Sequence, residues 1–425
     1  MQKEKIKFPD GFLWGAATAA HQVEGGTKND WAQWEKDNAE RLASEAGKKW
    51  QKWQQEKFPE MLEAKNYISG RACDHYNRFE EDFDLAKDGG HNAHRFSIEW
   101  SRIEPEEGKF DEKEIEHYRK VILALRARGM EPFVTLWHWT NPLWMTEMGG
   151  PESQKFSFYF SRYAKFVVEK LGQDVKFWMT LNEPTSVILN SYTIGNWPPQ
   201  KKNLFSAWKV YRYLAKAHNS AYEEIKRVNP DFQVGFTNIL QFIEPNNKKN
   251  IFDRLTVRFA DYLSNKKFYN MVSGKSDFLA VQYYFHQKIK FPNKSKNENK
   301  SVTDMGWEIY PEGIYHILMG LKKHDLPIYI TENGLADVRD EKRIGFIRDH
   351  LRWVGKAIEE GADVRGYFYW SLLDNFEWDK GFWPHFGLIE VDYDTLERKP
   401  RKSFYEYAKI CKNNGFPGES TKERF

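Results

Sequence analysis

The sequence predicts an α/β fold, a (β/α)8 TIM barrel forming one domain over residues 1–425, with loop insertions on its C-terminal face. Three observations lead there. Eight short apolar runs alternate with amphipathic segments along the whole chain. No GxGxxG or GxxxxGK[ST] turn follows an early run, as an open nucleotide-binding sheet would require. No Pro/Gly/Ser-rich linker and no internal repeat divides the sequence. Alternating strands and helices favour parallel pairing through right-handed crossovers, and eight such units close a barrel.

The strand candidates are 12–20, 93–100, 132–138, 176–181, 233–238, 278–284, 327–331 and 366–373, each rich in aromatic or β-branched residues. Helical periodicity marks 111–129, 158–171, 205–228, 312–324 and 340–361. Asp111 and Glu112 open the first of these and Gly129 closes it, an acidic start and a glycine stop. Residues 38–72 follow the first strand and are expected as an insertion on the catalytic face. The run 286–303, HQKIKFPNKSKNENKSVT, is expected as a solvated loop.

The composition narrows the function. Lys and Arg number 64 against 61 Asp and Glu, a net charge of +3, which points to neither a nucleic-acid nor a membrane partner. Cys73 and Cys411 stand far apart, without the spacing of a disulfide framework or a metal site, and suit a reducing compartment. The N-terminus has no apolar signal region, so a cytoplasmic location is expected, with the oligomeric state open. No HExxH and no calcium loop is apparent, so neither metal nor organic cofactor is expected. The 17 Trp and 21 Tyr serve mainly a large core, but their flat faces and polar edges also suit sugar rings.

Two carboxylates stand out by position. Glu183, in TLNEP, follows the apolar run KFWM, and Glu332, in ITENG, follows PIYI. Both lie where a barrel strand ends, the face on which barrel enzymes place catalytic groups. The plainer alternative is that each caps the next helix, a reading that leaves the Asn beside each Glu unexplained.

FLWGAATAAHQVEGG, HRFSIEWSRI, TLWHWTNPLW, TLNEP, ITENG and WSLLDNFEW occur in one order over residues 8–410. Together they resemble the signatures of glycoside hydrolase family 1. The resemblance implies a retaining double displacement on β-glucosides or β-linked oligosaccharides. Glu332 would be the nucleophile and Glu183 the acid/base, with carboxyls about 5 Å apart. It implies that Arg95 keeps Glu332 ionised by lowering its pKa, that Tyr284 orients it, and that Asn182 binds the sugar 2-hydroxyl. Gln22, His138 and Glu377 would hydrogen-bond the non-reducing sugar, Trp370 and Trp378 would pack around it, and Trp307 would be the platform for the leaving group. It also implies a cis peptide between Trp370 and Ser371. An anionic Glu377 would repel a 6-phosphate. Two positions depart from the pattern: Gln282 replaces the usual Asn, and its extra methylene is expected to shift its contact near the nucleophile; His94 replaces Tyr. A β-galactosidase or β-fucosidase of mixed specificity, a transglycosylase and a non-catalytic sugar binder remain alternatives.

Overall fold

The computed structural model describes residues 5–294 and 301–418. Among them, eight parallel strands close a barrel: β1 (Leu13–Ala17), β2 (Ala93–Ser97), β3 (Glu131–Trp137), β4 (Phe177–Asn182), β5 (Gln233–Pro245), β6 (Leu279–Lys290), β7 (Ile328–Asn333) and β8 (Val364–Trp370). Each strand pairs in parallel with its sequence neighbours, and β8 returns to β1 to shut the ring. Every residue of β2, β4 and β7 is buried, as expected where helices cover a parallel sheet from outside and side chains fill it from inside. The outer helices are α1 (His75–Asp88), α2 (Glu112–Ala127), α3 (Phe156–Leu171), α4 (Leu204–Val228), α5 (Ile251–Asp261), α6 (Glu312–Leu321), α7 (Arg343–Glu359) and α8 (Lys402–Asn413). Asp111 caps α2 as its position in the sequence predicts, its side chain accepting from the Lys113 N–H.

The barrel interior explains how the site is aimed. Ala93, Phe133, Phe177, Met179, Phe278, Ala280, Tyr329 and Phe368 form an apolar layer, with Phe133 and Phe177 stacked at 4.2 Å. One strand period above that layer stand Arg95 from Ala93, Gln282 from Ala280 and Trp370 from Phe368. Asn182 and Glu332 break the two-residue step. The β4–β5 register slips between Met179 and Asn182. The β6–β7 register slips where Gln282 pairs with Glu332. Such irregularities re-aim side chains, and here they turn an amide and a carboxylate toward the barrel axis.

Two sequence expectations change. The fifth and sixth strands run past 238 and 284, because residues 242–245 of β5 keep pairing with 286–289 of β6. The supposed loop 286–303 therefore begins as strand, turns at 291–292 and pairs back at Asn293–Lys294; residues 295–300 lie outside the described residues. The 38–72 insertion is largely helical, with Asp30–Lys49 and Lys52–Lys57 followed by two short 3-10 turns. Its Trp50 and Phe58 pack on Trp383 at 5.0 and 5.1 Å, in the apolar cluster that also holds Trp370 at the end of β8. No helix of the described residues is long and apolar enough to cross a membrane.

Candidate active site

A cavity of about 200 Å³ opens at the C-terminal end of the barrel. Gln22, His138, Asn182, Glu183, Tyr284, Trp307, Glu332, Trp370, Glu377 and Trp378 all line it. Of the eleven residues singled out from the sequence, only Arg95 does not; it lies fully buried behind the wall.

Glu332 is held by three donors. Arg95 Nη1 meets its Oε1, Gln282 Nε2 donates to the same oxygen at 2.6 Å, and the Tyr284 hydroxyl donates to Oε2 at 2.8 Å. Gln282 thus reaches the carboxylate directly, so the longer amide moves into the site rather than away from it. Its Nε2 also donates to Asn182 Oδ1 at 2.9 Å. Asn182 Oδ1 accepts further from Arg95 Nη2 at 2.6 Å and from the Thr237 hydroxyl at 2.7 Å. Its carbonyl end is saturated, which fixes the amide, and Nδ2 donates to His138 Nε2 at 2.9 Å. Burial and the Arg95 charge push the His138 pKa well down, so the ring is neutral. With Nε2 accepting, its proton sits on Nδ1, a buried atom without a partner among the described residues.

Glu183 is held differently. It adopts left-handed backbone torsions (φ 37°, ψ 62°) at the strand-to-helix turn, and its side chain makes no helix-capping bond. The capping alternative therefore fails for Glu183, and it fails for Glu332, which lies within β7. The only side-chain donor described on Glu183 is the Ser186 hydroxyl, at 2.6 Å to Oε2. Burial, then the charge of Glu332, pushes the Glu183 pKa up to about 8.

Arg95 and Tyr284 pull the Glu332 pKa down as expected, but burial outweighs them and leaves it above the ordinary carboxylate range. The difference between the carboxyls survives on the donor count. A cation, an amide and a phenol stabilise ionised Glu332, whereas one hydroxyl serves Glu183. The shared proton therefore resides on Glu183. Tyr284 stays a neutral phenol, its pKa raised by burial and by Glu332.

Across the cavity, Gln22 Nε2 donates to Asn375 Oδ1 at 2.9 Å and to the Phe376 carbonyl at 2.8 Å. It approaches Glu377 Oε2 at 3.4 Å, and its Oε1 is buried and has no partner among the described residues. Burial pushes Glu377 up to about 8, with Lys380 opposing and Glu332 adding to the rise. Burial thus works against the charge on Glu377 and weakens the repulsion expected of an anion there. The Lys380 ammonium is engaged by Asp379, which Lys49 also approaches. Trp378 lies at 4.6 Å from Trp139 and stacks near His138 at 5.9 Å. Trp307 packs beside Phe285 and Tyr284 at 4.7 and 6.1 Å. The Trp370–Ser371 peptide is cis. His94 is buried outside the cavity lining, its Nε2 at 3.1 Å from the Thr18 hydroxyl.

Sequence reasoning missed Trp139, Ser186, Asn190, Trp197, Phe285 and Lys380 in the lining, and Thr237 behind it. Trp139 was within reach, since it neighbours His138 in the third strand's motif. Phe285 was likewise within reach beside Tyr284 in the sixth strand; the others depend on how distant segments pack around the cavity.

Similarity to known proteins follows the same lines. The family described as Glycosyl hydrolase family 1 matches residues 4–284 and 260–416. A 1,4-β-D-glucan glucohydrolase of Thermotoga neapolitana is 34% identical, with 96% of this chain and 99% of that protein aligned. A β-glycosidase from Pyrococcus horikoshii superposes with a TM-score of 0.86 at 38% identity, covering 97% of this chain and 96% of that one. A β-glucosidase from Thermotoga maritima in complex with glucoimidazole superposes with a TM-score of 0.85 at 32% identity, covering 96% and 100%.

Proposed function

The chain is a glycoside hydrolase belonging to glycosyl hydrolase family 1, and from that premise we propose that it is a retaining β-glucosidase. The observation that carries the proposal is the unequal treatment of two carboxyls in one cavity: Glu332 is held by Arg95, Gln282 and Tyr284, while Glu183 carries a proton to about pH 8.

In this reading ionised Glu332 attacks the anomeric carbon as Glu183 gives its proton to the departing glycosidic oxygen. The covalent glycosyl ester removes the negative charge on Glu332. One cause of the high Glu183 pKa then disappears, and ionised Glu183 becomes the base that activates water. The amide of Asn182, clamped through its carbonyl end, offers its N–H side to the 2-hydroxyl. His138 Nδ1 supplies a donor and Gln22 Oε1 an acceptor for further hydroxyls, and Glu377 adds its carboxyl oxygens. Trp370 and Trp378 bound the sugar, and Trp307 meets the leaving group. An unphosphorylated sugar suits this arrangement, because Lys380, the cation that opposes the rise of Glu377, is already engaged by Asp379.

Glucose is favoured among the epimers by the relatives named for glucans and glucosides, one of them holding glucoimidazole. A reducing, cytoplasmic setting belongs to the same reading and rests on Cys73 and Cys411 being buried thiols. The test compares kcat/KM on aryl β-glucoside, β-galactoside and β-fucoside. Highest efficiency on the glucoside is expected; a clear preference for the galactoside would overturn the glucosidase assignment.

A further inference from the structure

Helix α5 turns its apolar side outward. Within Ile251–Asp261 only Asp253 is buried, whereas Ile251, Phe252, Leu255 and Phe259 are 51, 59, 51 and 65% exposed, and Tyr262 follows at 44%. Positions i, i+1, i+4, i+8 and i+11 share one helical face, which in a surface helix normally meets the core. Here Asp253 reverses the orientation. Its carboxylate accepts from the Asn247 N–H and from the Phe291 N–H, both at 3.0 Å, and ties the polar side of α5 to the loop before it and the tip of β6. The same tie presents Phe291, 53% exposed, whose ring stacks on Phe252 at 5.6 Å. These large apolar side chains thus share one helical face, with Phe291 beside Phe252, instead of being scattered singly.

Among the described residues, the unpaired charges around it are all positive. Lys248, Lys249, Arg254, Arg258 and Lys290 are exposed, and none meets a carboxylate among the described residues. The only acid within 246–260 is the buried Asp253. The neighbouring acids are engaged, Glu244 by His286 and Lys288 and Asp261 by Lys266. A second copy docking by this face about a two-fold axis would bring these cations against their own images, an electrostatically unfavourable contact. An anionic lipid surface complements both features: phosphate headgroups meet the cations and the acyl boundary takes the aromatic and aliphatic side chains.

We propose that the α5 face, with Phe291 at the tip of β6, docks this enzyme peripherally on an anionic bilayer. The face rises from the catalytic end of the barrel, since β6 contributes Phe285 to the cavity wall before it reaches Phe291. The whole-chain charge of +3 conceals this local clustering.

The test is co-sedimentation of the full chain with phosphatidylcholine vesicles and with vesicles of equal parts phosphatidylcholine and phosphatidylglycerol. Binding about ten-fold or more tighter to the anionic vesicles is expected, weakening with added salt. Phe252→Ser/Phe259→Ser and Arg254→Gln/Arg258→Gln should each lose about ten-fold or more of that binding. All four positions are exposed, so folding and kcat/KM on a soluble aryl glucoside should not change. Equal binding to both vesicle types, or binding that either double variant leaves intact, would overturn the proposal. So would an absence of vesicle binding together with self-association that Phe252→Ser/Phe259→Ser abolishes in sedimentation velocity, which would assign the face to a second copy.

Discussion

Replacing Glu332 by Gln should lower the pKa of Glu183 while leaving it above that of a free glutamate. Burial is the first cause of the Glu183 rise to about 8 and the Glu332 charge the second. At the separation of about 5–5.5 Å expected of a retaining pair, two unit charges in an effective dielectric near 20 interact by about 3 kcal/mol. At about 1.4 kcal/mol per pKa unit this is worth about 2 units. Glu183 should therefore titrate near 6 in Glu332→Gln, with burial sustaining what remains. The same shift is required when the glycosyl ester forms, so the variant reproduces the electrostatics of the second chemical step. Carbon-13 NMR of protein labelled at the glutamate side-chain carboxyl, with Glu183→Gln as the assignment control, reads it directly. A Glu183 pKa that stays at 8 or rises would refute the idea that the charge of Glu332 controls the proton on Glu183.

The proposal has four further consequences. In wild-type enzyme kcat/KM should fall through a basic limb near pH 8 as Glu183 loses its proton, and through an acid limb above the ordinary carboxylate range as Glu332 gains one; an acid limb near 4 would show that the donors on Glu332 outweigh its burial. Glu183→Ala should keep its first step on an activated aryl glucoside and yield a β-glycosyl azide with added azide, whereas Glu332→Ala should be inactive until azide supplies an inverted product; identical behaviour in the two variants would reverse or dissolve the assigned roles, and product NMR decides. Gln282→Leu removes a donor at 2.6 Å from Glu332, and losing a hydrogen bond to a charged group, about 1.5–3 kcal/mol, should cost about ten- to a hundred-fold in kcat/KM in steady-state assays; an unchanged rate would remove Gln282 from the site. Asp374 accepts from both terminal nitrogens of Arg401 at 3.0 and 2.8 Å, from His385 and from the Gly387 N–H, so Asp374→Ala should cost about 3 kcal/mol in denaturant unfolding by leaving the buried guanidinium only Glu390, at 3.6 Å, and the Gly387 carbonyl.

The sequence carried the architecture because period and punctuation are local properties. Strand ends after KFWM and PIYI identify Glu183 and Glu332 without coordinates. What it did not carry depends on pairing between distant segments. The register slips beside Asn182 and Glu332 arise only when β4 meets β5 and β6 meets β7. The continued pairing of 242–245 with 286–289 likewise made strand of residues whose composition reads as loop. Gln282 was visible as an anomaly, yet its consequence was not, since an extra methylene shifts a contact toward or away from Glu332 according to where β6 sits. The apolar face of α5 was hidden for a related reason. Its periodicity is that of an ordinary core-facing helix, and only the tie from Asp253 to Asn247 and Phe291 decides which side faces out.

Covalent trapping tests the central assignment most directly. Incubation with an activated 2-deoxy-2-fluoro-β-glucoside slows both steps by removing the 2-hydroxyl contact, and a good leaving group restores the first, so a glycosyl-enzyme accumulates. Intact-mass and peptide mass spectrometry should find one fluoroglucosyl group, esterified to Glu332 within the ITENG segment, with turnover lost in proportion to labelling. A label on any other residue, or full loss of activity with no covalent adduct, would contradict a retaining mechanism through Glu332.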